Sequence, residues 1–561
     1  MREAPRTVRA WSVATAVTWL VGLGGWLSLW RTPIWSTDDL VFAIRAGHPG
    51  GAVRGAELWH FVQVDVWERN GRTADAWGQA IFSTGWAIGP LMALLCLAQS
   101  FLWWRLLWAC LRPAVPARLA PAAAWGCAVA CLAAPFALHH LVARLAGTVF
   151  FFMSATVGYL GGMVLLGGSL LSALQLVRRA TTARSWGPPA VVLLLSGALG
   201  AMHNEVIALQ LIAVAVLLSG VLWRRRAAWG PRATVWVLLA LSATRFAAPG
   251  LWARTRKVKA PLPLEEVGFL TRRAALAAMS LLSQLETAGR LYLGIALAVV
   301  ALGLWVGWHW ARGRALVGAL VAGLGGGGAL AGWLVPRLVA ARTAANWERS
   351  ALADLFTSRS ALLLVLALLV AGGCAVALAG LAAWQLGSLE VGVVLTAAVA
   401  AYAVPVALGT TGPRPFYFGI ALAYLLALAL AGLTVAAPAR GRLTAPDGAP
   451  RIAAAAPAWR TRGGRVVSGA AAAASLALLL GPAGPGAGQL WRDWGGNMAA
   501  WRQVEDQLRA AQAGQVTEVV IPRQLPHMYL LGDYLTVSEG SPQRLHFLYD
   551  LDQSVTVTFS K

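Results

Sequence analysis

Asp38 and Asp39 stand side by side in "TPIWSTDDLVFAI", directly after an apolar run long enough to cross a membrane. Adjacent like charges repel each other and do little to anchor a helix end. A neighbouring carboxylate also raises the pKa of the first, which suits a general base, and the pair could equally ligate a divalent cation such as Mg or Mn. The plainer alternative is a solvated turn in which Ser36 or Thr37 caps a short helix beginning near Leu40. The distribution of acid favours a site: Asp38, Asp39, Glu57, Asp65, Glu68 and Asp75 all fall within 31–85, whereas Glu205 is the sole acidic residue between Asp75 and Glu265.

Three further groups have the chemistry of a site. "ERNGR" carries a turn signal at Asn70-Gly71 and places Arg72 beside it, as a site cation or as part of a polar turn with local ion pairs. "MHNEV" packs His203, Asn204 and Glu205 into a tight join between two apolar runs. Asn204 can cap the following helix and Glu205 can favour its positive end, so structure alone accounts for them, yet a polar triplet at membrane level is also a site candidate. "APGLWARTRKVKAP" offers Arg254, Arg256, Lys257 and Lys259, four cations suited to phosphate, whether of lipid headgroups or of a lipid-linked substrate. Tyr159 in "SATVGYL" and Arg414 in "TTGPRPFYF" belong to the ends of other apolar runs.

The elements that must position these residues are membrane helices. The chain has 561 residues, 58% of them hydrophobic and 12% charged, and a mean hydropathy of +0.63. Its apolar runs of about 20 residues do not alternate as barrel strands would, so the fold class is an all-α polytopic membrane protein. Hydropathy predicts about thirteen spans, near 11–30, 86–111, 119–142, 155–177, 188–202, 205–223, 233–249, 291–311, 315–339, 360–383, 388–408, 416–437 and 466–482. With the N-terminus in the cytoplasm, the clusters at Arg178 and Arg179, Arg224 to Arg226, Arg312 and Arg314, and Arg440 to Arg465 all fall on the cytoplasmic side. The cations of 254–259 then lie on the outer side, where that rule does not expect them.

The net charge of +23 is accounted for by these clusters, and nucleic acid is not the expected partner; the lipid bilayer is. All five cysteines lie in apolar runs, which suggests neither disulfides nor a zinc site. The basic N-terminus and long first apolar run read as a retained helix without a clear cleavage site. "GLGGGGALAGW" lets helices approach closely and lacks the Lys-Ser or Lys-Thr ending of a phosphate loop. The organisation expected is a transmembrane domain, 1–482, with a long first outer loop, 31–85, part of which mixes aromatic and charged residues as an interfacial helix would. A small extracytoplasmic α/β appendage follows, 483–561, in which "WRQVEDQLRAAQAG" reads as a helix ending at Gly514 and "VTEVVIP" and "SVTVTF" as strands.

"TDDL" after the first helix, "NGR" in the same loop, "SATVGY", the "HNE" turn, "APG" followed by Arg254, and a Trp- and Arg-containing helix before the tail together resemble the GT-C superfamily, and a group of bacterial membrane proteins of related architecture. GT-C proteins are membrane glycosyltransferases that use polyprenyl-phosphate-linked sugars. The resemblance implies residence in a bacterial inner membrane, an Asp of the first outer loop (Asp38 or Asp39) as catalytic carboxylate, and basic outer-loop residues on the donor phosphate. It also implies a glycan, lipid or protein acceptor. One departure stands out: Leu251 and Trp252 follow "APG" where a polar residue is expected. The rival expectations are a transporter or flippase of lipid-linked saccharides, which would place ionisable residues within broken helices, and a non-catalytic scaffold.

Overall fold

The computed structural model describes residues 4–36, 73–74, 87–180, 186–249, 251, 269–309, 313–344, 359–408, 410, 412–436, 458–531 and 540–560. Asp38, Asp39, Arg72, Arg254, Arg256, Lys257 and Lys259 lie outside the described residues, as does most of the first loop. The described chain is overwhelmingly helical, and eleven of its helical segments are long and apolar enough to cross a membrane. This is an all-α polytopic membrane architecture, the arrangement that lets a chain satisfy its backbone hydrogen bonds internally in lipid.

In order, the helices are α1 (Ala4–Leu29), α2 (Ile88–Leu111), α3 (Ala120–Leu141), α4 (Gly162–Ala180), α5 (Gly187–His203), α6 (Glu205–Arg224), α7 (Trp229–Thr244), α8 (Phe269–His309), α9 (Arg314–Ala344), α10 (Arg359–Leu386), α11 (Leu389–Leu408), α12 (Tyr417–Ala436), α13 (Ala458–Leu480) and α14 (Ala483–Gln512). Two of these are short for a span, the 17-residue α5 and the 16-residue α7. Of the most apolar window of α12, 83% is buried, against 11% in α1 and 17% in α9. α12 is therefore the hub, apolar all round because protein surrounds it, while the exposed Val and Leu of α1 and α9 present the surface expected toward lipid.

Two departures from the hydropathy reading have physical causes. α8 begins at Phe269, well before the span expected at 291–311, and its 41 residues would extend about 60 Å, twice a hydrocarbon core. The added half, "TRRAALAAMSLLSQLETAGR", is an interrupted apolar pattern, invisible to a window that rewards uniform hydropathy. A break at Ala288 (φ −132°) releases the Thr287 carbonyl, which accepts the Ala143 N–H at 2.9 Å. The span expected at 155–177 is not one α-helix either: π-helical turns at Ala146–Phe150 and Thr156–Gly161 precede α4.

After α14, whose chain turns at Gly514 (φ +70°), β1 (Glu518–Ile521) pairs in parallel with β2 (Thr556–Phe559), with α15 (Ser541–Leu548) between them. This segment is not free of the bundle. Trp494 of α14 donates its indole N–H to the Leu29 carbonyl at 2.6 Å and stacks on Phe151, and Arg502 donates to the Thr32 hydroxyl at 3.0 Å. Gly147 is required by the same packing, since a Cβ there would stand 2.5 Å from the Leu530 carbonyl carbon.

Candidate functional site

Helix α5 stops where Asn204 turns to extended backbone (φ −155°, ψ 137°), and its Oδ1 accepts the Val206 N–H at 2.9 Å, starting α6 as an N-cap. The structural role expected of Asn204 is thus realised. Its neighbours are sequestered with it: His203, Asn204 and Glu205 are 2%, 3% and 8% exposed. His203 Nε2 lies 3.2 and 3.1 Å from the carbonyl oxygens of Val157 and Gly158. Carbonyls only accept, so this nitrogen carries the proton. The imidazole thereby braces the π-helical turn Thr156–Gly161. Thr156 supports that turn from the other side, its hydroxyl within 3.1 Å of the Val149, Phe150 and Phe152 carbonyls. A described piece of the first loop joins the same wall, with Thr73 N–H donating to the Met202 carbonyl at 3.1 Å.

Glu205 faces Arg245, which the sequence reading did not single out. Arg245 lies in the 3₁₀ turn that follows α7, its side chain wholly buried and Nη2 3.6 Å from Glu205 Oε2. Desolvating both charges is costly, and each makes the other tolerable. The signal was present: one arginine at membrane depth in "LLALSATRFAAPG", in a stretch of the chain where Glu205 is the sole carboxylate.

Arg414 comes to this end by a different route. The loop leaving α11 is gripped by the first half of α8: Arg273 donates to the Ala407 carbonyl (3.0 Å), Ser280 to Thr410 (2.7 Å) and Gln284 to Gly412 (2.8 Å), while the Gly412 N–H donates to the Ser283 hydroxyl (3.0 Å). Gly412 sits at φ +79°, where a side chain would be strained. Beyond it the Arg414 side chain is exposed, its guanidinium 5.5 Å over the ring of Phe152. Tyr159 packs against both Tyr417 and Phe418. The segment 152–159 therefore joins Arg414 to the His203 turn, and five of the sequence candidates, Tyr159, His203, Asn204, Glu205 and Arg414, converge on one end of the bundle. Of the two charged ones, Glu205 is buried and Arg414 is exposed.

The C-terminal segment adds ionisable groups at the same end that sequence reasoning missed. Tyr529 donates to Asp493 Oδ2, His527 Nδ1 stands 3.9 Å from Asp493 Oδ1, and the buried amide of Asn497 holds the His527 backbone at both its N–H and its carbonyl. Burial and the Asp493 carboxylate push the Tyr529 hydroxyl up to about 12. No sequence spacing announces this cluster, because its members come together only when the chain after α14 folds back. Among the described residues, no group of three or more His, Cys, Asp or Glu is arranged to hold a metal ion, and the cation considered for Asp38 and Asp39 concerns residues outside that set.

No protein family, no curated protein and no solved structure matches the chain.

Proposed function

We propose that the chain is an inverting glycosyltransferase of the outer face of a bacterial inner membrane, moving a sugar from a polyprenyl-phosphate carrier to a cell-envelope acceptor. In this reading thirteen helices, α1 to α13, span the membrane, the N-terminus is cytoplasmic, and α14 with the α/β segment lies outside. An acceptor hydroxyl loses its proton to Asp38 or Asp39 as its oxygen bonds to the anomeric carbon from the opposite face, the bond between that carbon and the phosphate oxygen breaks, and polyprenyl phosphate departs. Arg254, Arg256 and Lys257, with Arg72 and Arg414, supply positive charge to that phosphate. His203, Asn204 and Glu205 hold the wall beside it.

The observation that supports this reading most is the clamped loop of Arg414. Four hydrogen bonds fix the loop, yet the guanidinium remains exposed, at the end of the bundle where Thr73 of the acidic first loop meets Met202. A cation held in place, with no carboxylate within 4.0 Å among the described residues, suits a phosphate that comes and goes. The transporter reading draws on one observation of its own, the interrupted helix with its two π-helical turns.

Purified protein incubated with labelled polyprenyl-phosphate sugars and envelope extract distinguishes the two. The enzyme transfers label to an acceptor in detergent. Movement of intact donor across a vesicle membrane, without transfer, would replace this reading by the transporter.

A further inference from the structure

The opposite end of the bundle, away from the His203 turn, carries a cluster that the proposed reaction does not use. Helix α6 ends in Trp223-Arg224-Arg225-Arg226, and the turn closes with Ala227 N–H donating to the Leu222 carbonyl and Arg226 N–H to that of Trp223, both at 3.0 Å. This closing pattern places one residue in the left-handed region, where glycine is favoured. Here that residue is Arg226, at φ +50°. A strained arginine where glycine would fit better points to a role for the guanidinium.

Its surroundings indicate the ligand. Arg232 of α7 lies with its guanidinium 5.2 Å over the Trp223 ring, and its buried Nε has no hydrogen-bond partner among the described residues. None of Arg224, Arg225, Arg226 and Arg232 has a carboxylate within 4.0 Å among the described residues, whereas Arg178 at the same end is paired with Glu390 at 2.5 Å. Trp186 covers Gly230 so closely that a Cβ there would meet its ring at 2.2 Å, which fixes the turn between α6 and α7. Trp229, Arg232 and Trp236 follow one another at helical spacing along one face of α7, and Trp223, Trp229 and Trp236 are 73%, 76% and 58% exposed. An anion is wanted at the turn and an apolar chain along the tryptophans.

We propose that the α6–α7 turn is a binding site for the phosphodiester headgroup of an anionic membrane lipid, with Arg226 and Arg232 on the phosphate and the lipid chains against Trp229 and Trp236. The site does not depend on the glycosyltransferase reading. It differs from the diffuse attraction that any basic membrane face exerts, because it assigns the phosphate to two particular side chains.

The test uses the full chain in nanodiscs of phosphatidylcholine with a minor share of phosphatidylglycerol, reading retained lipid by native mass spectrometry and thermal unfolding in lipid-free detergent. Phosphatidylglycerol should be retained over phosphatidylcholine. Arg232→Gln should cut that retention roughly tenfold or more, the scale of one charge-assisted contact. Arg226→Gly should also cut it while raising the unfolding temperature in lipid-free detergent, since glycine relieves the strain. Arg118→Gln, exposed at the same end, should leave retention unchanged. Equal loss in all three variants would reduce the site to diffuse attraction, and a lower unfolding temperature for Arg226→Gly would remove the strain argument. If inorganic phosphate alone matched the stabilisation given by phosphatidylglycerol, a free anion rather than a lipid would be the occupant. Either of the last two results, like the first, overturns the proposal.

Discussion

The two ends of the bundle use arginine in opposite ways. At the His203 end Arg245 is wholly buried against Glu205, and at the other end Arg224 to Arg226 stand exposed beside exposed tryptophans. Arg178, also at that end, keeps nearly half its side chain exposed although it pairs with Glu390. Within one fold, then, a charge at one end is an internal fastener and at the other a group offered outward. Arg414 is the exception that makes the His203 end interesting: it combines a fastened backbone with an outward charge.

Breaking each ion pair should show the contrast at its largest. Arg245→Met takes away the guanidinium that faces the buried Glu205 carboxylate and should cost about 3–5 kcal/mol, whereas Glu205→Gln with Arg245→Met together should recover most of that loss. Arg178→Gln should cost less, about 1–2 kcal/mol: Glu390 is as buried as Glu205, but it keeps the Ser388 hydroxyl, and water can take the place of the half-exposed guanidinium. Thermal unfolding of the purified variants in detergent measures both, and equal losses at the two ends would erase the distinction drawn here.

Next in size is the contact between the C-terminal segment and the π-helical turns. Gly147→Ala forces a Cβ onto the Leu530 backbone and should cost about 1–3 kcal/mol, seen as lower unfolding temperature and as faster proteolysis after α14. The loop of Arg414 should respond more subtly. Gln284→Ala removes one neutral hydrogen bond, worth about 1 kcal/mol, and should raise the donor KM severalfold with kcat nearly unchanged, while Arg414→Gln should raise it roughly tenfold. A fall in unfolding temperature with no change in KM would make the clamp structural only.

How far these features were legible in the sequence depended on how local they are. Uniform apolar runs marked most of the helices, and the cap at Asn204 followed from three consecutive polar residues between two such runs. The strands near 518–521 and 556–559 were likewise readable from β-branched residues. What escaped was set by partners distant in the chain. The first half of α8 packs Ala275, Leu276, Ala278 and Leu282 against α9 and α10 and also grips residues 407–412, contacts that its interrupted hydropathy does not announce. A search for clustered cations passes over a single Arg245, whose meaning comes from Glu205 across a helix pair. Asp493, His527 and Tyr529 meet only because Asn497 and Gly147 admit the returning chain.

The central claim is that the end of the bundle carrying Arg414 and the His203 turn serves sugar transfer by a carboxylate of the first loop. Asp38→Asn and Asp39→Asn keep size and remove charge, so transfer of label from a polyprenyl-phosphate sugar by each purified variant tests the claim most directly. The account expects at least one of them to lose transfer while unfolding at the temperature of the unaltered protein. Full transfer by both would contradict it, whatever the fold.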